Sequence, residues 1–120
     1  MTRADTVDFV SPRQAAERCN DGALLVDVRP QVARHLGSVA DAVIVERDHI
    51  ADAFGRHSPI RLPEAADPGR EIIIVSVSNL RSCQVAEQLA QMGYTNVRNL
   101  DGGFNAWKAL ELSVALTDIS

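Results

Sequence analysis

The run Ile72-Ile73-Ile74-Val75, continuing as Ser76-Val77-Ser78-Asn79-Leu80-Arg81-Ser82, constrains the fold more than any other stretch of the chain. Consecutive β-branched residues bounded by polar ones read as a strand buried on both faces. Behind it, from Ser82 to Met92, Val85, Leu89 and Met92 share a stripe with Ala86 and Ala90, while Gln84, Glu87, Gln88 and Gln91 stay polar. That spacing predicts an amphipathic helix, and Gly93 is a natural C-terminal cap. A strand running through a short loop into a helix aims backbone N–H groups at one point, which suits an anion or a nucleophile. Ser76, at the strand's end, is where such a nucleophile would sit.

The same alternation recurs along the chain. Val7 and Phe9 suggest a first strand. Ser11-Pro12 reads as an N-cap with proline in the first helical position, opening a helix whose apolar face holds Ala15, Ala16 and Cys19 and which ends at Asn20-Asp21-Gly22. Ala23-Leu24-Leu25-Val26, closed by Asp27, is a second strand. A short helical segment after Pro30 uses Val32, Ala33 and Leu36, and Ala42-Val43-Ile44-Val45 is a third strand. From Glu46 to Gly69 come charges, His49, His57 and three prolines, read as a short helix around Ile50–Phe54 and then a surface loop. Asn96 to Leu100 is a fifth strand, Asp101-Gly102-Gly103 a turn, and Phe104, Ala106, Trp107 and Leu110 mark a last helix; from Glu111 onward there is little periodicity. Short strands alternating with helices predict an α/β fold: one domain over residues 1–120, with a mostly parallel sheet of about five strands and helices on both faces.

Composition narrows the function classes. With 120 residues the chain can bury a core without metal or disulfide. A net charge of −4 argues against nucleic acid or an anionic membrane as partner, though it says nothing of a local amide cradle. No apolar run is long enough to span a bilayer, and the N-terminus has no apolar signal region, so the expected compartment is the cytoplasm. The two cysteines, Cys19 and Cys83, fit no metal or redox spacing, and no metal or organic cofactor is expected. His35, His49 and His57 are expected on the surface.

Four segments together resemble the rhodanese-like, or sulfurtransferase-like, domain family across about residues 11–110. Leu25-Val26-Asp27-Val28-Arg29 resembles the family's aliphatic-Asp-Val-Arg strand end. The stretch Gly37 to Arg47 resembles its G-H-I-P-G-A-x-x-I-P/E-R segment, with Ser38, Ala40 and Asp41 in place of the usual His, Pro and Gly. The strand-loop-helix from Ile72 to Ala90 resembles the active-site unit, and Asn99 to Trp107 the N-L-x-G-G-x-x-A-W ending. The resemblance implies an active-site loop Cys-x-x-x-x-Arg. The matching residues are Ser76, Val77, Ser78, Asn79, Leu80 and Arg81: the arginine is present, and Ser76 stands at the cysteine's position. Val77 and Asn79 also depart from the pattern, where a basic residue and a glycine are frequent.

The substitution at residue 76 bears on chemistry. Sulfur transfer in the family runs through a cysteine persulfide, and a cradle of N–H groups holds the thiol as thiolate by lowering its pKa to roughly 3.5–7.5. A hydroxyl starts far higher and stays protonated. Serine acts as a nucleophile beside a general base, and no Gly-x-Ser-x-Gly elbow surrounds Ser76. The reading is therefore a domain without sulfurtransferase activity that binds a small anion such as thiosulfate or sulfate, or a protein, with Ser76 a polar strand end whose hydroxyl is satisfied by loop amides. The alternative is a thiosulfate sulfurtransferase in which Ser76 replaces an original cysteine or Cys83, two residues past Arg81, carries the sulfur. A dual-specificity phosphatase would need a loop one residue longer and a thiolate. Asp27 and Arg29, at a strand's carboxyl end, are read as loop-ordering residues, with ligand contact as the other reading.

Overall fold

The computed structural model describes residues 8–35, 37, 39 and 42–119, with side chains described to residue 111. Val7, Leu36, Ser38, Ala40 and Asp41, which the sequence reading used, lie outside the described residues.

Strands β1 (Asp8–Val10), β2 (Leu24–Asp27), β3 (Val43–Ile44), β4 (Ile72–Val75) and β5 (Val97–Leu100) form one sheet in the order β1-β5-β4-β2-β3. Every pairing is parallel. Helices α1 (Pro12–Asn20), α2 (Gln31–Arg34), α3 (Ile50–Phe54), α4 (Asn79–Gln91) and α5 (Gly103–Ile119) connect or follow the strands, with short 3-10 turns at Arg47–His49 and Pro63–Ala65.

β4 lies at the centre, and all four of its side chains are buried. They alternate between two cores, as a strand's period of two requires. Ile72 and Ile74 join Phe54, Val85 and Leu89 on the face covered by α3 and α4, whereas Ile73 and Val75 join Ala15, Leu100 and Phe104 on the face covered by α1 and α5. This two-sided cover explains the uninterrupted apolar run. α1 opens as expected, with the Ser11 side chain accepting from the Gln14 N–H and Gln14 returning a bond to the Ser11 N–H.

Four differences from the sequence reading stand out. α4 begins at Asn79, three residues before Ser82, because the Ser78 hydroxyl accepts from the Arg81 N–H and caps the helix there. Ser82 is buried in its stripe and Ala90 is exposed. β3 shrinks to two residues, since only Val43 and Ile44 find ladder partners, at Val26 and Asp27. The last helix continues past Leu110 to Ile119 although its sequence loses periodicity there.

Candidate functional site

The carboxyl ends of β2 and β4 lie side by side: Asp27 pairs with Val75, and the Val28 N–H donates to the Val75 carbonyl. In a parallel sheet this is where the loops that bind ligands gather.

Ser76 follows β4 and is buried. Its carbonyl accepts from the Phe104 N–H at 2.9 Å. That approach requires glycine at 103: its φ is +62°, and a Cβ there would lie 2.2 Å from the Ser76 oxygen. Asn79 adds a second fastening, its Nδ2 donating to Asp101 Oδ1 at 3.0 Å while its Oδ1 accepts from the Gly102 N–H at 3.1 Å. The loop is thus pinned to the turn between β5 and α5 by a backbone bond and a side-chain clamp.

Pinning leaves the N–H groups of Val77, Ser78, Asn79 and Leu80 without an acceptor among the described residues. They stand at the positive end of a 13-residue helix, so they form a cradle suited to negative charge. The expectation that loop amides satisfy the Ser76 hydroxyl does not hold: no described residue hydrogen-bonds to its Oγ, and Ser78, not Ser76, caps the helix. Val77 and Leu80 are exposed and give the cradle an apolar rim.

Arg81 is exposed. It lines a cleft of about 480 Å³ with Val28, Pro30, Arg47, Asp48 and Gln88, between α4 and the segments that follow β2 and β3. Asp27 and Arg29 are built in the opposite way, each about 1 % exposed. Arg29 Nη2 and Nε donate to Asp27 Oδ2 at 2.8 and 3.1 Å, and Nη2 also donates to the Gly37 carbonyl at 2.8 Å. The guanidinium carbon sits 3.9 Å from the centroid of the Phe104 ring, a cation–π arrangement. Phe104 therefore touches both loops, its N–H on Ser76 and its ring under Arg29. Sequence reasoning placed Phe104 in a motif and a helix without assigning it this role; the Gly102-Gly103 pair before it was the available signal.

Cys83 lies half-buried on α4, outside the loop. Burial, and then the Glu87 carboxylate, push its thiol pKa up, so it stays protonated at neutral pH. His35, His49 and His57 are exposed. Among the described residues no three His, Cys, Asp or Glu side chains converge as metal ligands would, and no helix is long and apolar enough to cross a membrane.

Comparison with known proteins matches this geometry to one family. The family model for the rhodanese-like domain matches residues 11–110. A thiosulfate sulfurtransferase GlpE of Haemophilus influenzae is 32 % identical over 110 residues, covering 90 % of this chain and 94 % of that protein. The GlpE of Pseudomonas paraeruginosa is 27 % identical over 107 residues, 89 % of each chain. Among solved structures, a Rhodopseudomonas palustris protein of unknown function, described as a possible tyrosine phosphatase, superposes with a TM-score of 0.78 at 20 % identity, covering 90 % of this chain and 84 % of that one. The human single-domain sulfurtransferase TSTD1 superposes with a TM-score of 0.69 at 20 % identity, covering 84 % and 95 %. At that identity the structural matches speak for the fold. With the family model spanning most of its length, the chain belongs to the rhodanese-like domain family.

Proposed function

We propose that this chain is a rhodanese-fold binding module that holds a small anion, or an anionic group on a protein, and does not transfer sulfur. The observation that carries the reading is Ser76 at the end of β4, where the family resemblance puts the persulfide-forming cysteine. In a thiol enzyme of this fold, the thiolate attacks the outer sulfur of thiosulfate. The S–S bond breaks, sulfite leaves with the electron pair, and cyanide then takes the sulfur as thiocyanate and restores the thiolate. A hydroxyl at Ser76 remains protonated and forms no persulfide. What is left is a cradle of unused amides beside Arg81, equipped to bind thiosulfate or sulfate. On the sequence grounds given above, we take the cytoplasm as its compartment.

The test is a thiosulfate:cyanide assay on the protein beside Ser76→Cys. The expected result is thiocyanate production by Ser76→Cys alone. Turnover by the unaltered protein well above a no-protein control would overturn the reading.

A second reading, a working thiosulfate sulfurtransferase, is favoured by the names of the relatives. It needs either an original cysteine at 76 or a sulfur carried on Cys83, whose raised pKa disfavours the thiolate. Mass spectrometry after thiosulfate treatment separates the two: one added sulfur, absent from Cys83→Ser, would support Cys83, and an unchanged mass would count against it.

A further inference from the structure

At the other end of the sheet, roughly 13–20 Å from Ser76 by strand rise, lies a second cavity of about 400 Å³. Cys19 and Asn20 of α1, Leu25 of β2, Arg70 just before β4 and Trp107 of α5 line it, together with Ala16, Ala23 and Leu24. We propose that this cavity binds a small organic anion with an apolar body, a carboxylic acid of the size and shape of phenylacetate.

Two independent features lead there. The first is the Trp107 indole N–H, which is buried and has no acceptor among the described residues. Buried tryptophan N–H groups ordinarily find a partner, and leaving one unpaired is unfavourable. Asn99 also has unpartnered polar atoms, but it faces the α4 core beside Ile74 and lines none of the cavities described above, whereas Trp107 lines one. The second feature is the character of the lining. Alanine and leucine side chains provide an apolar wall, the indole N–H and the Arg70 guanidinium can only donate, and the exposed Asn20 amide can donate or accept. Arg70 is held in place by donating Nε to the Gly22 carbonyl at 3.1 Å and Nη1 to the Glu64 carbonyl at 2.9 Å. A fixed cation and an unmatched donor at a cavity with an apolar wall select an acceptor that carries negative charge on an apolar body. The volume falls within the range of about 300–1,000 Å³ usual for small-molecule sites.

Trp107 is the chain's single tryptophan, so its emission reports this cavity directly. The experiment titrates the whole protein with phenylacetate, following Trp107 fluorescence and the indole ¹H–¹⁵N resonance. The expected result is a saturable emission change with a downfield shift of the indole proton. Arg70→Gln should weaken binding by about tenfold, and Ala16→Leu, which fills the cavity, should abolish it while leaving the circular dichroism unchanged. Phenylacetamide should bind more weakly than the acid. A response that never saturates, one that survives Arg70→Gln undiminished, or an amide that binds as well as the acid would overturn the proposal. None of these outcomes depends on Ser76, so the fate of the binding-module reading is separate.

Discussion

Arg29 and Arg81 follow neighbouring parallel strands, and the fold treats them in opposite ways. Arg29 is about 1 % exposed, paired with Asp27, bonded to the Gly37 carbonyl and stacked on Phe104. Arg81 is exposed, and its guanidinium has no partner among the described residues, while its backbone N–H donates to the Ser78 hydroxyl. A buried guanidinium is tolerable only when its charge and donors are matched, so Arg29 is committed to holding the loop after β2. An exposed one keeps its donors for something that arrives from solution. Position at a strand's carboxyl end is therefore a poor guide to ligand contact, and the state of the donors a better one.

The contrast can be broken most forcefully at Asp27. Asp27→Ala strands a buried charge and should cost about 3–5 kcal/mol, read as a lower urea midpoint; a loss below about 1 kcal/mol would mean that water reaches Arg29. Gly103→Ala comes next. Its Cβ would collide with the Ser76 carbonyl in a left-handed conformation, for an expected loss of roughly 2–4 kcal/mol, with the Phe104 amide gaining fast hydrogen exchange.

A third test uses pH on the buried side. The Tyr94 hydroxyl donates to the Phe54 carbonyl at 2.6 Å, and burial raises its pKa against a lowering pull from Arg61 and Arg56. A raised acid favours the folded state while it is protonated in both states. Its contribution is therefore full below the ordinary value of 10.0 and lost as pH climbs through the higher folded value. Tyr94→Phe should flatten that alkaline limb of the stability curve while costing about 1–3 kcal/mol at neutral pH.

The open side should respond more weakly. Asn79→Ala, which removes the clamp on Asp101 and Gly102, is expected to cost about 1 kcal/mol by urea unfolding. Arg81→Ala should move stability by no more than about 0.5 kcal/mol while weakening sulfate binding by calorimetry. Destabilisation by Arg81→Ala as large as that by Asp27→Ala would erase the distinction drawn between the two arginines.

The sequence made the centre of the fold readable and the site only partly so. β4 has the same bounds in both descriptions because a strand covered on two faces must be apolar at every position. α3 also agrees, at Ile50–Phe54. The start of α4 was misplaced because Ser78 serves both the loop and the helix cap, and a motif reading assigns it only to the loop. The order of the strands, with β5 between β1 and β4, is set by long crossovers that local patterns do not encode. Phe104's double contact joins segments far apart in sequence and has no local signature. The Ser76 position, by contrast, was legible at once, since strand end and helix start bracket it within a few residues.

Phe104 has one more consequence. Because its amide holds the Ser76 carbonyl and its ring carries the Arg29 guanidinium, Phe104 ties the loop after β4 to the loop after β2. The Arg29 guanidinium that rests on this ring in turn donates to the Gly37 carbonyl. One aromatic residue thereby serves two crossovers, so a change at position 104 reaches the Ser76 carbonyl and the Arg29 guanidinium at once.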